Sequence, residues 1–430
     1  MNGSLSEYEI MKMLQGDHEL LRSVVSNERV TCDFPDETLS KRAVKPDLTP
    51  EILAGYLAES GIVARFNEVT KCAEYSGLPD ENAEQLAANI APLLCSRLQS
   101  DYRRCNFSTV EAYLNIILSR NAYNPVIEIF KSTTWDKKDR LQEIYEILAI
   151  SETDTLSRAL IRKWCLQCVA LLFNDFEQPF GAEGVLVLQG AQGIGKTSFF
   201  RQLALQPAFF KEGVHLDFSN RDTIIRSLSC WLCELGELES TLKKDIEKLK
   251  AYITQSIDEY RKPYGRGDVR SLRRTSFCAS CNSEQFLIDI SGNRRFWTIP
   301  VKQIDLDRLK TFNTLQFWTQ MYENIKAEGL QAFRLTQTEF TMLNERNVKH
   351  EKPLKCELEI LDILNDSDGE NYKIVYELMT LSQFKEINSS LRSFDVRQIS
   401  VVLRKLGFEQ TRTRKGRFYR LPRRKYPTEY

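Results

Sequence analysis

A parallel α/β core, preceded by a mainly helical segment and followed by a small basic helix-and-hairpin segment, is the fold that the sequence predicts. Two observations carry it. Between residues 181 and 305 short apolar runs alternate with helical stretches, and the first run is followed by a glycine-rich turn and another helical stretch. On either side the apolar positions return to helical spacing, so the sheet is confined to the middle of the chain.

The elements follow in order. Residues 1–45 are polar with weak periodicity and read as an arm or linker. Pro46, Leu48 and Pro50 open a mainly helical domain over 46–180, interrupted by a strand-like run from Ile62 to Glu74. Tyr123 to Phe130 reads as a turn, and Thr134 to Leu148 as an amphipathic helix capped by Asp136. The core spans 181–305, with strand candidates at 185–190, 214–218, 230–235, 275–281 and 295–301. Their continuous apolarity fits strands whose two faces are both covered by helices. A helical connector over 306–350 leads to a basic domain over 351–430.

Composition narrows the class. The 430 residues contain 59 Lys+Arg and 59 Asp+Glu, 27% charged and 42% hydrophobic, which describes a globular chain of two or three domains rather than a disordered one. No apolar run is long enough to span a bilayer and the N-terminus lacks the pattern of a signal peptide, so no membrane partner and a cytoplasmic location are expected. The 11 cysteines include three CxxC pairs, Cys165/Cys168, Cys230/Cys233 and Cys278/Cys281. A zinc site is the alternative there, but the first pair lies in an apolar helix and the others in core strands, which favours buried thiols.

The strongest chemical signal is the turn Gly190-Ala191-Gln192-Gly193-Ile194-Gly195-Lys196-Thr197, continuing into Ser198, a full GxxxxGK[ST] phosphate loop between a strand and a helix. Its glycines let backbone N–H groups converge on phosphate, Lys196 brings a cation to the β- and γ-phosphates of ATP, and the Thr197 hydroxyl is placed for Mg²⁺. Hydrolysis also needs an acid at the end of a neighbouring strand. Glu234 is the better candidate, as a metal-side and water-polarising carboxylate, and Glu237 the second. Asn282, after the strand candidate at 275–281, fits a residue that senses the γ-phosphate. Arg294 and Arg295 are candidates for an arginine supplied to a neighbouring subunit.

Two basic stretches are candidates for contact with nucleic acid. Residues 261–274 hold Arg261, Lys262, Arg266, Arg270, Arg273 and Arg274 against one acid, a balance of +5. They follow a helical stripe at Leu242, Ile246, Leu249, Ile253 and Ile257 that reads as core. Arg261 and Arg266 are equally open to contact with DNA or with a neighbour's ATP. At the C-terminus a helix over 395–406, stopped by Gly407, precedes a hairpin around Arg414-Lys415-Gly416. From 402 to 425 ten Lys/Arg face one acid, +9, and Arg412, Arg414, Lys415 and Arg417 are the expected phosphate contacts. The rest of the chain therefore carries −14, and overall neutrality hides two cationic places.

GAQGIGKTSFF, CWLCELGEL, KLKAYITQSIDEYRKPYGR, the asparagine of TSFCASCN and DISGNRRFWTIPV together resemble the virulence-associated protein E family. These are ATPases of phages and mobile elements, related in motif order to superfamily 3 replicative helicases. With the lead-in YNPVIEIFKSTTWDKKDRLQEI, the resemblance covers roughly 110–305. It implies an AAA+-like P-loop core in a hexameric ring that translocates on or unwinds single-stranded or forked DNA with ATP and Mg²⁺, while the C-terminal helix followed by a basic hairpin looks by itself like a winged helix. Lys196 and Thr197 match its phosphate loop, Glu234 and Glu237 its acidic motif, Asn282 its sensor, and Arg294 and Arg295 its arginine finger. The acids here are not adjacent, which leaves open which of them polarises water. Relatives are often fused to a primase, and the arm before residue 46 is too short for one, so a separate primase is the expected partner. A non-unwinding, ATP-gated DNA-binding initiator or regulator is the alternative, and a defence ATPase a third reading that no nuclease motif supports.

Overall fold

The computed structural model describes residues 45–78, 83–236, 238–261, 268–288, 293–353, 355–414 and 416–426. The chain divides into two compact units, Met1–Pro125 and Val126–Tyr430.

In the first unit, Thr49 accepts a hydrogen bond from the Ile52 amide and Pro50 occupies the first turn, so α1 (Pro50–Glu59) starts there. The strand-like run then becomes a hairpin of β1 (Val63–Asn67) and β2 (Cys72–Ser76). Asn67 turns it by accepting from the amides of Val69 and Thr70 at 2.9 and 3.1 Å. Helices α2 (Ala83–Ala88), α3 (Ile90–Leu98) and α4 (Phe107–Arg120) follow, and β3 (Ala122–Tyr123) adds to β1 in parallel. Leu53, Leu57, Leu94, Leu98, Val110 and Leu114 close the core. The unit is thus helical with a three-stranded sheet.

The second unit opens with α5 (Pro125–Ser132), α6 (Leu141–Ile147) and α7 (Thr155–Ala170). The boundary expected near residue 180 falls inside this unit. The reason is packing: the buried Trp164 of α7 donates its indole N–H to the Phe277 carbonyl at 2.8 Å, and the Cys168 carbonyl accepts from Trp231 at 2.8 Å. Asp136 does not cap a helix. It lies before α6 and makes a bidentate pair with Arg140 at 2.6 and 2.7 Å, which holds its carboxyl down to about 2.

The core then runs β4 (Val185–Gln189), α8 (Lys196–Leu203), β5 (Phe210–Val214), α9 (Arg221–Leu228), β6 (Leu232–Leu235) and α10 (Leu238–Ile253). A two-stranded antiparallel hairpin follows, β7 (Ile257–Arg261) with β8 (Asp268–Leu272), then β9 (Ser276–Cys281) and β10 (Phe296–Pro300). The apolar stripe expected to run through Ile257 therefore ends at Ile253, and Ile257 begins a strand. Five strands form one parallel sheet in the order β10-β4-β9-β6-β5. β4 is fully buried at each position, as expected of a central strand covered on both faces. The six CxxC cysteines are reduced and buried in α7, before or within β6, and in β9. Burial pushes the thiols of Cys165, Cys168, Cys233 and Cys278 well up, and that of Cys281 to about 12. Among the described residues no group of acids, histidines and cysteines is arranged to hold a metal by itself.

Helices α11 (Leu306–Thr311), α12 (Thr314–Glu328) and α13 (Gln337–Lys349) pack back on the core, with Trp318 of α12 donating to the Leu203 carbonyl at 2.6 Å. The chain ends in α14 (Lys355–Leu364), β11 (Lys373–Met379), α15 (Leu381–Ile387), α16 (Val396–Lys405), β12 (Gln410–Thr413) and β13 (Gly416–Lys425). Asp395 caps α16 reciprocally with Gln398, and Gly407 at φ +84° ends it. The sheet order is β11-β13-β12, antiparallel, so the expected hairpin gains a third strand on its far edge. Among the described residues no helix is long and apolar enough to cross a membrane.

Candidate functional site

The phosphate loop hangs between β4 and α8, and its conformation explains its glycines. Gly193 and Gly195 have φ of +84° and +97°, a region that L side chains rarely adopt. A Cβ on Gly190 would lie 2.1 Å from the Val301 carbonyl oxygen. Ala191, Gln192 and Ile194 fill the turn between them, and Thr197 and Ser198 stand in the first turn of α8. The helix start is therefore open towards whatever the loop encloses.

Lys196 is almost fully buried and its ammonium donates to the carbonyls of Gly190 (2.8 Å) and Ala191 (2.7 Å) and to Asn282 Oδ1 (2.9 Å). Burial lowers its pKa from the ordinary lysine value. Asn282 sits just past the end of β9, beside β4, and so reaches this amine. From β6, on the other side of β9, Glu234 is 2% exposed and accepts from the Thr197 hydroxyl at 2.8 Å and the Ser280 hydroxyl at 2.9 Å. Burial raises its carboxyl above the usual value, although both hydroxyls pull the other way.

Four residues predicted from three motifs, Lys196 and Thr197 from the loop, Glu234 and Asn282 from two strand ends, thus meet at the C-terminal edge of the sheet. A cation, a hydroxyl and a carboxylate in hydrogen-bond reach, above loop amides and a helix start, are the donor set for a nucleotide with a divalent cation. Thr197 and Glu234 are the residues that could hold the metal. Ser280 was not among the predicted residues. β9 carries two serines, Ser276 and Ser280, and only its register against β6 shows which of them meets Glu234.

Arg294 and Arg295 are elsewhere. They precede β10, and the Arg295 carbonyl accepts from the Val185 amide at the start of β4. They therefore lie at the opposite end of the sheet from the phosphate loop, roughly 16 Å away along a five-residue strand. There they line a cavity of about 430 Å³ with Glu183, Arg334, Thr336 and Phe340. Burial, and then the adjacent Arg294, hold the Arg295 guanidinium below its ordinary value, and its buried Nε has no hydrogen-bond partner. These arginines cannot serve the loop of their own chain.

The first basic stretch needs correction. Arg273 is completely buried: its guanidinium grips Asp258 (Nε to Oδ1 and Oδ2 at 3.0 and 2.8 Å) and donates to the Tyr252 carbonyl at 3.0 Å, so it is no DNA contact. Arg274 is half-buried and bonded to the carbonyls of Leu172 and Asn174. Arg270 is exposed and pairs with Glu259 at 3.0 Å. Arg261 ends β7 opposite Asp268 in the hairpin register. Lys262 and Arg266, like Glu237 and Lys415, lie outside the described residues.

The C-terminal stretch splits in two. Lys405 pairs with Glu351 and Glu357, Arg424 with Asp366, and Arg423 and Lys425 with Glu377, so these four charges are balanced locally. The hairpin is different. Arg412 and Arg417 are exposed and directly opposite each other in the register, with Arg414 exposed at the turn. Like charges in opposed positions cost stability, which an anion bridging them would relieve.

The model of the virulence-associated protein E-like domain matches residues 130–352. Among solved structures, the chain is similar to the A form apo structure of the NrS-1 C terminal region, at 11% identity over 86% of this chain and 98% of that one, with a TM-score of 0.43. A second apo structure of that region matches at 11% identity over the same shares, TM-score 0.44. A structure of JCV Helicase matches at 10% identity over 62% of this chain and 79% of that one, TM-score 0.29. No curated protein matches.

Proposed function

The chain belongs to the virulence-associated protein E-like family, and from that membership we propose that it is an ATP-dependent DNA helicase or translocase acting as a ring, a hexamer by the family resemblance, in replication of a phage or mobile element. The observation that supports this best is the meeting of Lys196, Thr197, Glu234 and Asn282 at the ends of three neighbouring strands.

The roles follow from the contacts. Lys196 exchanges the carbonyls of Gly190 and Ala191 for phosphate oxygens, which cancels the cost of its burial. Mg²⁺, when bound, would neutralise charge on the phosphates, and Thr197 and Glu234 are the residues that would hold it. Glu234, or Glu237 a few residues on, takes the proton of the attacking water. Asn282, released by Lys196, orients that water or the γ-phosphate. Because Arg294 and Arg295 lie at the other end of the sheet, they act on a neighbouring copy's nucleotide, and turnover requires assembly. Arg270, Arg261, Lys262 and Arg266 are the cations of the first basic stretch assigned to DNA, with Arg261 and Arg266 equally open to a neighbouring copy's nucleotide. The 351–430 segment is a winged-helix-like domain whose Arg412, Arg414, Lys415 and Arg417 grip phosphates. Primer synthesis falls to a separate primase.

ATP hydrolysis by the full chain with Mg²⁺, measured with and without single-stranded DNA, tests the reading, together with strand separation on a forked substrate. The expected result is DNA-stimulated turnover that falls at least about a hundredfold in Lys196→Ala. Hydrolysis at the same rate with and without DNA, and no unwinding, would replace the helicase by an ATP-gated DNA-binding initiator or regulator.

A further inference from the structure

The C-terminal sheet has two unlike faces. One buries Met379, Tyr419 and Leu421 against Ile360, Phe384, Ile399 and Leu403 of the surrounding helices. Strand alternation puts Ile374, Tyr376 and Leu378 of β11 and Phe418, Arg420, Pro422 and Arg424 of β13 on the other face. Instead of the polar residues expected where a small sheet meets water, that face presents Tyr376 (46% exposed) and Leu378 (62%), and Phe418 is half-buried.

The rings and the charges alternate. Leu378 stands opposite the exposed Arg420, and Tyr376 opposite Pro422. Past them the Arg424 guanidinium lies 5.0 Å from the centre of the Tyr372 ring, which is 5.9 Å from that of Tyr426. From Phe418 to Tyr426 the stripe is about 26 Å long. None of the seven alternating positions named on this face is acidic, and Asp366, at its end, is spent on Arg424. Arg420 has no acidic partner among the described residues, and neither do Arg412, Arg414 and Arg417 at the adjoining hairpin turn.

We propose that this open face is a stacking platform for single-stranded DNA, on which bases lie against Tyr376, Phe418 and the Tyr372–Tyr426 pair while Arg420 and the hairpin arginines hold the backbone. Flat rings alternating with cations suit unpaired bases, whose faces are free; the bases of a duplex are already stacked on one another. An apolar protein partner would not call for unpaired arginines among the rings, so charge complementarity selects the polyanion. The proposal rests on the DNA-binding reading above and extends it from phosphate contacts to base contacts.

The experiment is fluorescence anisotropy of the full chain, without nucleotide, on a labelled oligothymidylate and on a duplex of equal length, comparing wild type with Tyr376→Ala/Phe418→Ala and with Tyr376→Trp. The double variant is expected to lose about 5-fold to 100-fold in single-strand affinity for each ring that stacks, with duplex affinity within about twofold of wild type, and Tyr376→Trp to bind single strands at least as tightly as wild type. In the wild type, bromodeoxyuridine in the oligonucleotide should photo-crosslink to the peptides carrying Tyr376 and Phe418. Unchanged single-strand affinity, or equal losses on both substrates, overturns the platform alone. A double variant that keeps its affinity but loses self-association assigns the face to a contact between copies, which also overturns it. A wild-type chain that binds neither substrate overturns the DNA reading beneath it.

Discussion

Replacing Arg273 by alanine separates the two roles that this residue could have. Its guanidinium is 0% exposed and Asp258 3%, with N···O distances of 3.0, 2.8 and 2.5 Å, and it lies 4.6 Å from the centre of the Tyr252 ring and 5.2 Å from that of Phe277. Arg273→Ala leaves a buried carboxylate without its counter-ion and the Tyr252 carbonyl without its donor. Breaking one side of a buried pair costs about 3–5 kcal/mol, a large part of the ~5–15 kcal/mol that stabilises a domain. At a urea slope of about 2–3 kcal/mol/M the midpoint should fall by about 1–2.5 M, read from tryptophan fluorescence. Arg273→Met with Asp258→Leu should recover most of the loss, because an apolar pair pays no desolvation. The exposed pair gives the control: Arg270→Ala should cost no more than about 1 kcal/mol. An Arg273→Ala chain that unfolds at the wild-type midpoint but binds DNA with a shallower salt dependence would refute the structural role and restore the phosphate contact.

Two further outcomes test the ATP site. Burial raises the Glu234 carboxyl above its unfolded value, so the ionised form costs stability that is absent below the unfolded carboxylate range and fully felt above the folded one. Glu234→Gln should accordingly raise the thermal midpoint by about 2–4 °C per kcal/mol relieved at pH 8, with no gain at pH 3 and with turnover abolished; a gain that persists at pH 3 would sink the burial argument. Arg295→Ala should bind ATP normally yet not turn it over, and mixing it with Lys196→Ala should restore part of the activity, because mixed interfaces reunite an intact loop with an intact arginine. Loss of binding in Arg295→Ala alone would place the residue in its own chain's site.

The phosphate site was legible because each part is written locally. GxxxxGK[ST] states its own turn, and Glu234 and Asn282 each end an apolar run; a parallel sheet brings the ends of such runs to one edge. Ser280 was not legible, since only the register of β9 against β6 shows that its hydroxyl meets Glu234. Where the N-terminal helices end was not legible, because α5 to α7 look like those before them and only Trp164 and Cys168 reveal which sheet they cover. β11 is hidden for a related reason: KIVYELM becomes an edge strand only when β13 is beside it.

The charges mark the limit most clearly. Sequence alone established that a neutral chain carries two basic stretches and that a phosphate loop stands among strands, because composition and turn chemistry are properties of neighbours along the chain. It could not say which cations are free. Arg273 is neutralised by Asp258, 15 residues away, Arg424 by Asp366, and Lys425 by Glu377, while Arg412, Arg414 and Arg417 remain exposed at a hairpin turn. A charge acts on a partner only where it is neither buried nor paired, and burial and pairing are set by strand register and packing between distant segments.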